Sequence, residues 1–143
     1  MKVESFKYLH PYFNINENWG DVKQIKWWHI KHLYDIRNEM HYQHDWPIII
    51  HCSYETTGHS KNSYHYKGMA TDFHFVTDIE FKRQYEILKW YLRKSKLWNF
   101  IGLGAYPEWS TPGFHIDGRG YPLQWIRKHG KYYYGSDNVD KFL

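Results

Sequence analysis

The stretch Ser63-Tyr-His-Tyr-Lys-Gly-Met-Ala-Thr-Asp72, taken together with Gly113-Phe-His-Ile-Asp117, constrains this chain more than any other feature. His65 and Asp72 stand seven residues apart and His115 follows at a distance, so the set offers two imidazole nitrogens and one carboxylate oxygen. Three ligands of this kind suit a zinc ion that keeps its fourth position for water, whereas structural zinc is closed off by four ligands rich in cysteine. The chain has one cysteine, Cys52, which excludes a structural thiolate site. Gly68 and Ala70 lie between the first two ligands, where small residues let the backbone turn tightly and then enter a strand that delivers Asp72.

The pattern Ser63-x-His65-x-x-Gly68-x-Ala70-x-Asp72 with a later Phe114-His-Ile-Asp117 resembles the zinc D-Ala-D-Ala carboxypeptidase and L-alanyl-D-glutamate peptidase family. These are peptidoglycan peptidases that share a fold with the hedgehog signalling domain. Gly102-Leu-Gly-Ala-Tyr-Pro107 is similar to the family's second half and comes in the same order, so the resemblance covers roughly residues 20–127. It implies an α+β fold, with a small antiparallel sheet covered by two helices and Zn2+ on the open face, held by His65, Asp72 and His115. It also implies hydrolysis of amide bonds in the peptide stems of peptidoglycan, as an endopeptidase or a carboxypeptidase. Zinc serves such a reaction by lowering the pKa of a bound water to about 7, and a nearby carboxylate then carries the proton.

Two departures from the family pattern bear on that chemistry. Relatives place the proton-carrying carboxylate just before the last ligand, often three residues upstream, where this chain has Pro112. Glu108 in the preceding turn and Asp117, on the same strand face as His115, are the remaining candidates for the catalytic carboxylate; Asp117 could instead orient a ligand imidazole. Relatives also carry an arginine for a substrate carboxylate soon after the Ile48–Ile50 strand. Here Ser53-Tyr-Glu-Thr-Thr-Gly-His59 contains none, and Lys61, His59 or Arg119 are possible substitutes. The missing anchor favours cleavage of an internal bond over removal of a terminal D-Ala. Ser63, Lys61, Arg119 and Tyr106 are the expected substrate contacts.

A chain of 143 residues fits one domain and can bury a core. Eight Trp, fourteen Tyr and eight Phe supply it, with flat faces left over for stacking. The net charge of +4 is too small and too dispersed to identify an anionic polymer as partner, and no nuclease motif accompanies it, so nucleic acid is not an expected ligand. Cys52 has no disulfide partner. The N-terminus lacks the apolar run of a secretory signal, and no segment is apolar enough to span a bilayer. The expectation is a monomer made in the cytoplasm that reaches the wall by release or on a phage particle, as a phage or prophage endolysin would. Two other readings compete with it: a non-catalytic zinc-binding module of the hedgehog-like kind, and a basic zinc-dependent nuclease.

In chain order, residues 1–18 read as an extended arm. Trp19, Val22, Ile25, Leu33, Ile36 and Met40 fall at helical spacing and predict one helix over about 20–43, capped by Asn18, with His29 packed in its apolar stripe. Trp46–Cys52 reads as a buried strand and Met69–Val76 as the next, carrying Asp72 and His74 to one face. A second helix is expected over about 79–96, capped by Thr77 or Asp78. A strand over 98–105, a short strand at Phe114–Asp117, a closing hairpin and a loose tail over 136–143 complete the chain.

Overall fold

The computed structural model describes residues 1–143. It is an α+β domain whose six strands form one mixed sheet. The strands are β1 (Ile48–Cys52), β2 (Ala70–Phe75), β3 (Gly102–Tyr106), β4 (Gly113–Asp117), β5 (Leu123–Lys128) and β6 (Lys131–Tyr134), ordered β1-β2-β4-β3-β5-β6. Every neighbouring pair is antiparallel except β3 and β5, which run parallel. The expected small antiparallel sheet is therefore larger and mixed. The cause is local: the segment after β4 crosses β3 and enters β5 on its far side, and Leu123 N donates to the Ile101 carbonyl there.

Strand periodicity divides the side chains between two faces. Phe73 and Phe75 of β2, Leu103 and Ala105 of β3, Phe114 and Ile116 of β4 and Ile126 of β5 are all buried in one core. They pack with Ile30, Leu33, Ile36 and Met40 of α1 (Trp27–His44) and with Leu88 and Leu92 of α2 (Phe81–Lys94). Asp72, His74, His115, Asp117, Trp125 and Arg127 alternate with these positions and so belong to the other face. No helix is long and apolar enough to cross a membrane.

The helix expected over 20–43 breaks at its start. Residues Val22–Gln24 make one 3-10 turn, Ile25 and Lys26 are extended, and α1 begins only at Trp27. The break serves the loop between β1 and β2: Lys26 N donates to the Gly68 carbonyl at 2.9 Å, and Gly68 sits at φ 67° against the Gln24 carbonyl. A Cβ at Gly68 would lie 1.9 Å from that oxygen, so only glycine fits. Asn18 does not cap the helix; its Nδ2 donates to the Ile50 carbonyl instead. The N-terminal arm is a 3-10 helix, Val3–Leu9, whose Phe6 meets the buried Trp19 edge-on at 5.6 Å.

In the second half, α2 is shorter than predicted and starts after Glu80, while the Thr77 hydroxyl accepts from Ile79 N. Leu97–Phe100 forms a 3-10 turn before β3. The tail expected to be loose is α3 (Ser136–Phe142), held by buried Val139, by Phe142 against Tyr133 at 4.2 Å, and by Lys89 paired with Asp140. Its anchors come from α2 and the β5–β6 hairpin, contacts that a polar sequence does not advertise.

Candidate metal centre

One row of paired residues crosses the whole sheet. Cys52 of β1 pairs with Asp72 of β2, Asp72 with His115 of β4, His115 with Gly104 of β3, Gly104 with Trp125 of β5, and Trp125 with Tyr134 of β6. The β1–β2 register shifts between Ile50 and Cys52, so a bulge brings Cys52 opposite Asp72. Gly104 is the flat point in the row. A Cβ there would come within 2.6 Å of the Trp125 indole, and its absence lets that ring approach His115, with centroids 5.3 Å apart. His65 arrives from outside the sheet, on the 3-10 turn Tyr64–Lys67, whose start is capped by the Ser63 hydroxyl accepting from His65 N.

The sequence-predicted trio meets. His115 Nδ1 lies 2.8 Å and His65 Nε2 3.2 Å from the same oxygen, Oδ1 of Asp72. One ligand atom from each residue falls within 4.8 Å of the other two, so the group could hold a metal ion. The far side of each imidazole is also engaged. His65 Nδ1 is 2.7 Å from the Ser53 carbonyl, which must accept a proton from it and so leaves Nε2 free to face a cation. His115 Nε2 is 2.7 Å from Oδ2 of Asp117, leaving Nδ1 for the same task. Asp117 is fully buried and is gripped by the Arg119 fork, Nε to Oδ1 at 2.8 Å and Nη2 to Oδ2 at 2.7 Å. Gly102 leaves room for that pair, since a Cβ there would lie 2.5 Å from Arg119 Nε. Ligating histidines characteristically carry such partners, which fix the tautomer and raise basicity.

Electrostatics follow from this packing. Burial would raise the Asp72 pKa, but hydrogen bonds from His115 and His65 outweigh it and hold the carboxylate below its usual range. Burial would lower the His115 pKa, and hydrogen bonds to Asp117 and Asp72 overcome it, pushing the imidazole up to about 9. Without a metal, the imidazolium thus donates from both nitrogens to the two carboxylates; a metal ion at Nδ1 would take the place of that proton, with the same carboxylates as its countercharge. Cys52, His59 and His65 form a second grouping of ligand atoms that shares His65. Burial and the neighbouring Asp72 push the Cys52 thiol up, keeping it protonated with Sγ 3.4 Å from Asp72 Oδ2, so the nitrogen and oxygen set is the better prepared of the two.

The centre opens into a cleft of about 630 Å³, and the other predicted residues divide around it. Ser63 and Tyr106 line the cleft; Tyr106 stacks on Trp109 at 4.4 Å and its hydroxyl accepts from Trp125 Nε1. Arg119 also lines it, but its guanidinium is committed to Asp117 and lies over Tyr64 and Trp125. Lys61 does not line it. Asp117, expected as a catalytic carboxylate or an orienting one, has both oxygens engaged and sits behind His115, which is the orienting geometry. Glu108 points towards the β5–β6 turn, where it accepts from His129 N at 2.7 Å. His59, considered for a substrate carboxylate, stacks on His65 at 4.0 Å on the cleft wall.

The closing hairpin expected from the sequence is present as β5–β6, but its part in the site was not expected: it supplies a wall of the cleft with Leu123, Trp125 and Arg127 from one strand and Tyr132 and Tyr134 from the other. The two-residue spacing of those residues is the signal that was there to find. Comparison of the chain with protein-family models, with curated proteins and with solved structures finds no match.

Proposed function

We propose that this chain is a zinc-dependent peptidase of the D-Ala-D-Ala carboxypeptidase type, acting on the stem peptides of peptidoglycan. The observation that carries the reading is the convergence of His65, Asp72 and His115 at a cleft, with both imidazoles held from behind by Ser53 and by the Asp117–Arg119 pair. The donor set of two neutral nitrogens and one carboxylate suits zinc and leaves a position open. When bound, zinc supplies Lewis acidity toward a carbonyl and lowers the pKa of water. The protein's own part is to fix the ligand tautomers, to keep Asp72 ionised and to orient an extended peptide.

The cleft supports cleavage within a chain. Asp72 and Trp109 line both the large cleft and a smaller one that continues past His51, Ser110 and Thr111, so a peptide can extend to both sides of the centre. Trp109 stands between the two, stacked on Tyr106 of the large cleft. A phage or prophage endolysin, released to the wall or carried on a particle, is the setting that fits such an activity.

One observation favours a second reading, a non-catalytic zinc-binding module. Asp117 and Glu108, the two carboxylates closest in sequence to His115, are both engaged elsewhere, so neither is free beside the centre. One experiment separates the readings. Purified protein loaded with zinc is incubated with peptidoglycan, and new amino groups and released fragments are followed with and without a chelator. Chelator-sensitive release of peptide from intact disaccharide supports the peptidase. Stoichiometric zinc with no release supports the module, and loss of terminal D-Ala alone would reverse the preference for an internal bond.

A further inference from the structure

We infer that Arg127 forms an anion-binding subsite of the cleft and takes a free carboxylate of the bound peptide; the peptide as ligand rests on the function proposed above. Two arginines line the large cleft, and their situations are opposite. Arg119 is half-buried and spends its fork on Asp117. Arg127 is exposed on β5, forms no ion pair or side-chain hydrogen bond, and lies with its guanidinium 5.6 Å from the Tyr132 ring centre. Glu108 lines the small adjoining cleft with Arg127 yet gives its carboxylate to His129.

Register fixes where this cation stands relative to the centre. Trp125 is the residue of β5 that packs on His115, and Arg127 follows it by two positions on the same face. Two residues of strand span about 7 Å, the length of about two residues of an extended peptide. Across the hairpin Arg127 pairs with Tyr132 and Trp125 with Tyr134, so an aromatic floor runs beside the charge and limits its hydration. A planar fork with five donors and no protein acceptor matches a carboxylate bidentately. Arg127 thus supplies the cleft with an uncommitted guanidinium, which neither Arg119, bound to Asp117, nor Lys61, off the cleft, provides. The ligand class is a peptide with a free carboxylate one or two residues from the bond at the centre, on the β5–β6 side.

The test uses two stem peptides that differ only in a free or amidated carboxylate at the glutamyl residue. Each is labelled and bound to the intact protein, and anisotropy gives affinity whether or not turnover occurs. Wild type is expected to prefer the carboxylate peptide by about 10- to 100-fold, the range of a hydrogen-bonded ion pair. Arg127→Gln should abolish the preference, Arg127→Lys should keep part of it, and Lys94→Gln on α2, which does not line the cleft, should leave it intact. With hydrolysis measured in parallel, Arg127→Gln should act through KM more than kcat. Equal binding of the two peptides by wild type, or a preference that survives in Arg127→Gln, overturns the inference. Preferential binding without hydrolysis by wild type would uphold Arg127 while removing the peptidase reading.

Discussion

Strand β2 carries two histidine-bearing clusters two residues apart, and they are built differently. At Asp72 the imidazoles of His65 and His115 converge on one oxygen, and each ring has a further partner behind it. At His74 the ring meets His51, with Nε2 of His51 2.5 Å from Nδ1 of His74, and neither ring has another hydrogen-bond partner. Burial lowers the pKa of both, so they form a neutral pair in which one nitrogen donates to the other. Both clusters offer nitrogen ligands at short range. What separates them is the support: a carboxylate in front and oriented acceptors behind give one the makings of a metal centre, while the other is a pair of rings that satisfy one another on a half-exposed face. Histidine proximity alone is a poor guide to a metal site, and the partner on the second ring nitrogen is the better one.

The largest test of that contrast is metal content. His65→Ala, Asp72→Ala and His115→Ala should each take zinc from one equivalent to near none by elemental analysis, and cut hydrolysis by at least about 10³-fold, beyond the 10- to 100-fold typical of an outer partner. The double variant His51→Ala/His74→Ala should retain one equivalent. If it loses zinc while a ligand variant keeps it, the two clusters have been assigned the wrong way round.

Support behind the ring is tested by Asp117→Asn. The amide oxygen can still face His115, but the negative charge is gone and the Arg119 fork loses its match. Zinc affinity should fall about 10- to 100-fold in a chelator competition. A variant with unchanged affinity and turnover reduced about 10²- to 10⁴-fold would mean that Asp117 carries the proton.

A third histidine environment, inside the core, sharpens the comparison. His29 of α1 is buried and its Nε2 lies 2.8 Å from the Thr71 hydroxyl, on the reverse of β2 from the centre. Burial, then the neighbouring His32, lowers its pKa to about 3. The folded state therefore binds this proton less readily than the unfolded chain. Its contribution to stability is fully present above the unfolded pKa of about 6.5 and is lost as pH falls from there towards 3, at up to about 1.4 kcal/mol per pH unit for one proton. Urea midpoints of His29→Leu between pH 6 and 4 should show a shallower dependence than wild type; Thr71 keeps Ser53 as its hydroxyl partner. Parallel slopes would show that His29 titrates freely in the folded protein.

Much of this arrangement could be read from residue order, and the rest could not for a physical reason. The spacing of His65, Gly68 and Asp72 reports a turn and a strand, both local, and the two-residue period puts His115 and Asp117 on one face. The packing of His29 into the apolar stripe of α1 was legible in the same way. The break before Trp27 was not, because it answers to the Gly68 carbonyl more than forty positions away. Nor was the parallel pairing of β3 with β5, which depends on which edge the chain reaches after β4. The same crossing places Trp125 and Arg127 beside the centre, so the cleft wall was hidden together with the topology. Side-chain commitments were equally invisible: Arg119 looks free in the sequence and is bound to Asp117, while Glu108 turns to a backbone amide across the hairpin.

The smallest expected effect is the one that bears most directly on the contrast between the two clusters. His51→Ala and His74→Ala each remove one ring from a pair whose members are half-exposed and bond only to each other. The remaining ring can turn to water, so no buried group is stranded, and the loss should stay below about 1 kcal/mol in a urea titration. Zinc content should not move. The route by which it could move is specific: His51 belongs to the bulge that brings Cys52 opposite Asp72, and the Cys52 thiol reaches the Asp72 oxygen that faces away from the two ligand imidazoles. If His51→Ala lowers zinc affinity and His74→Ala does not, the bulge is part of the support behind Asp72, and the boundary between centre and neighbour lies one strand further out. If both lower it equally, the paired rings themselves hold the carboxylate in place, and the contrast drawn between the two clusters fails.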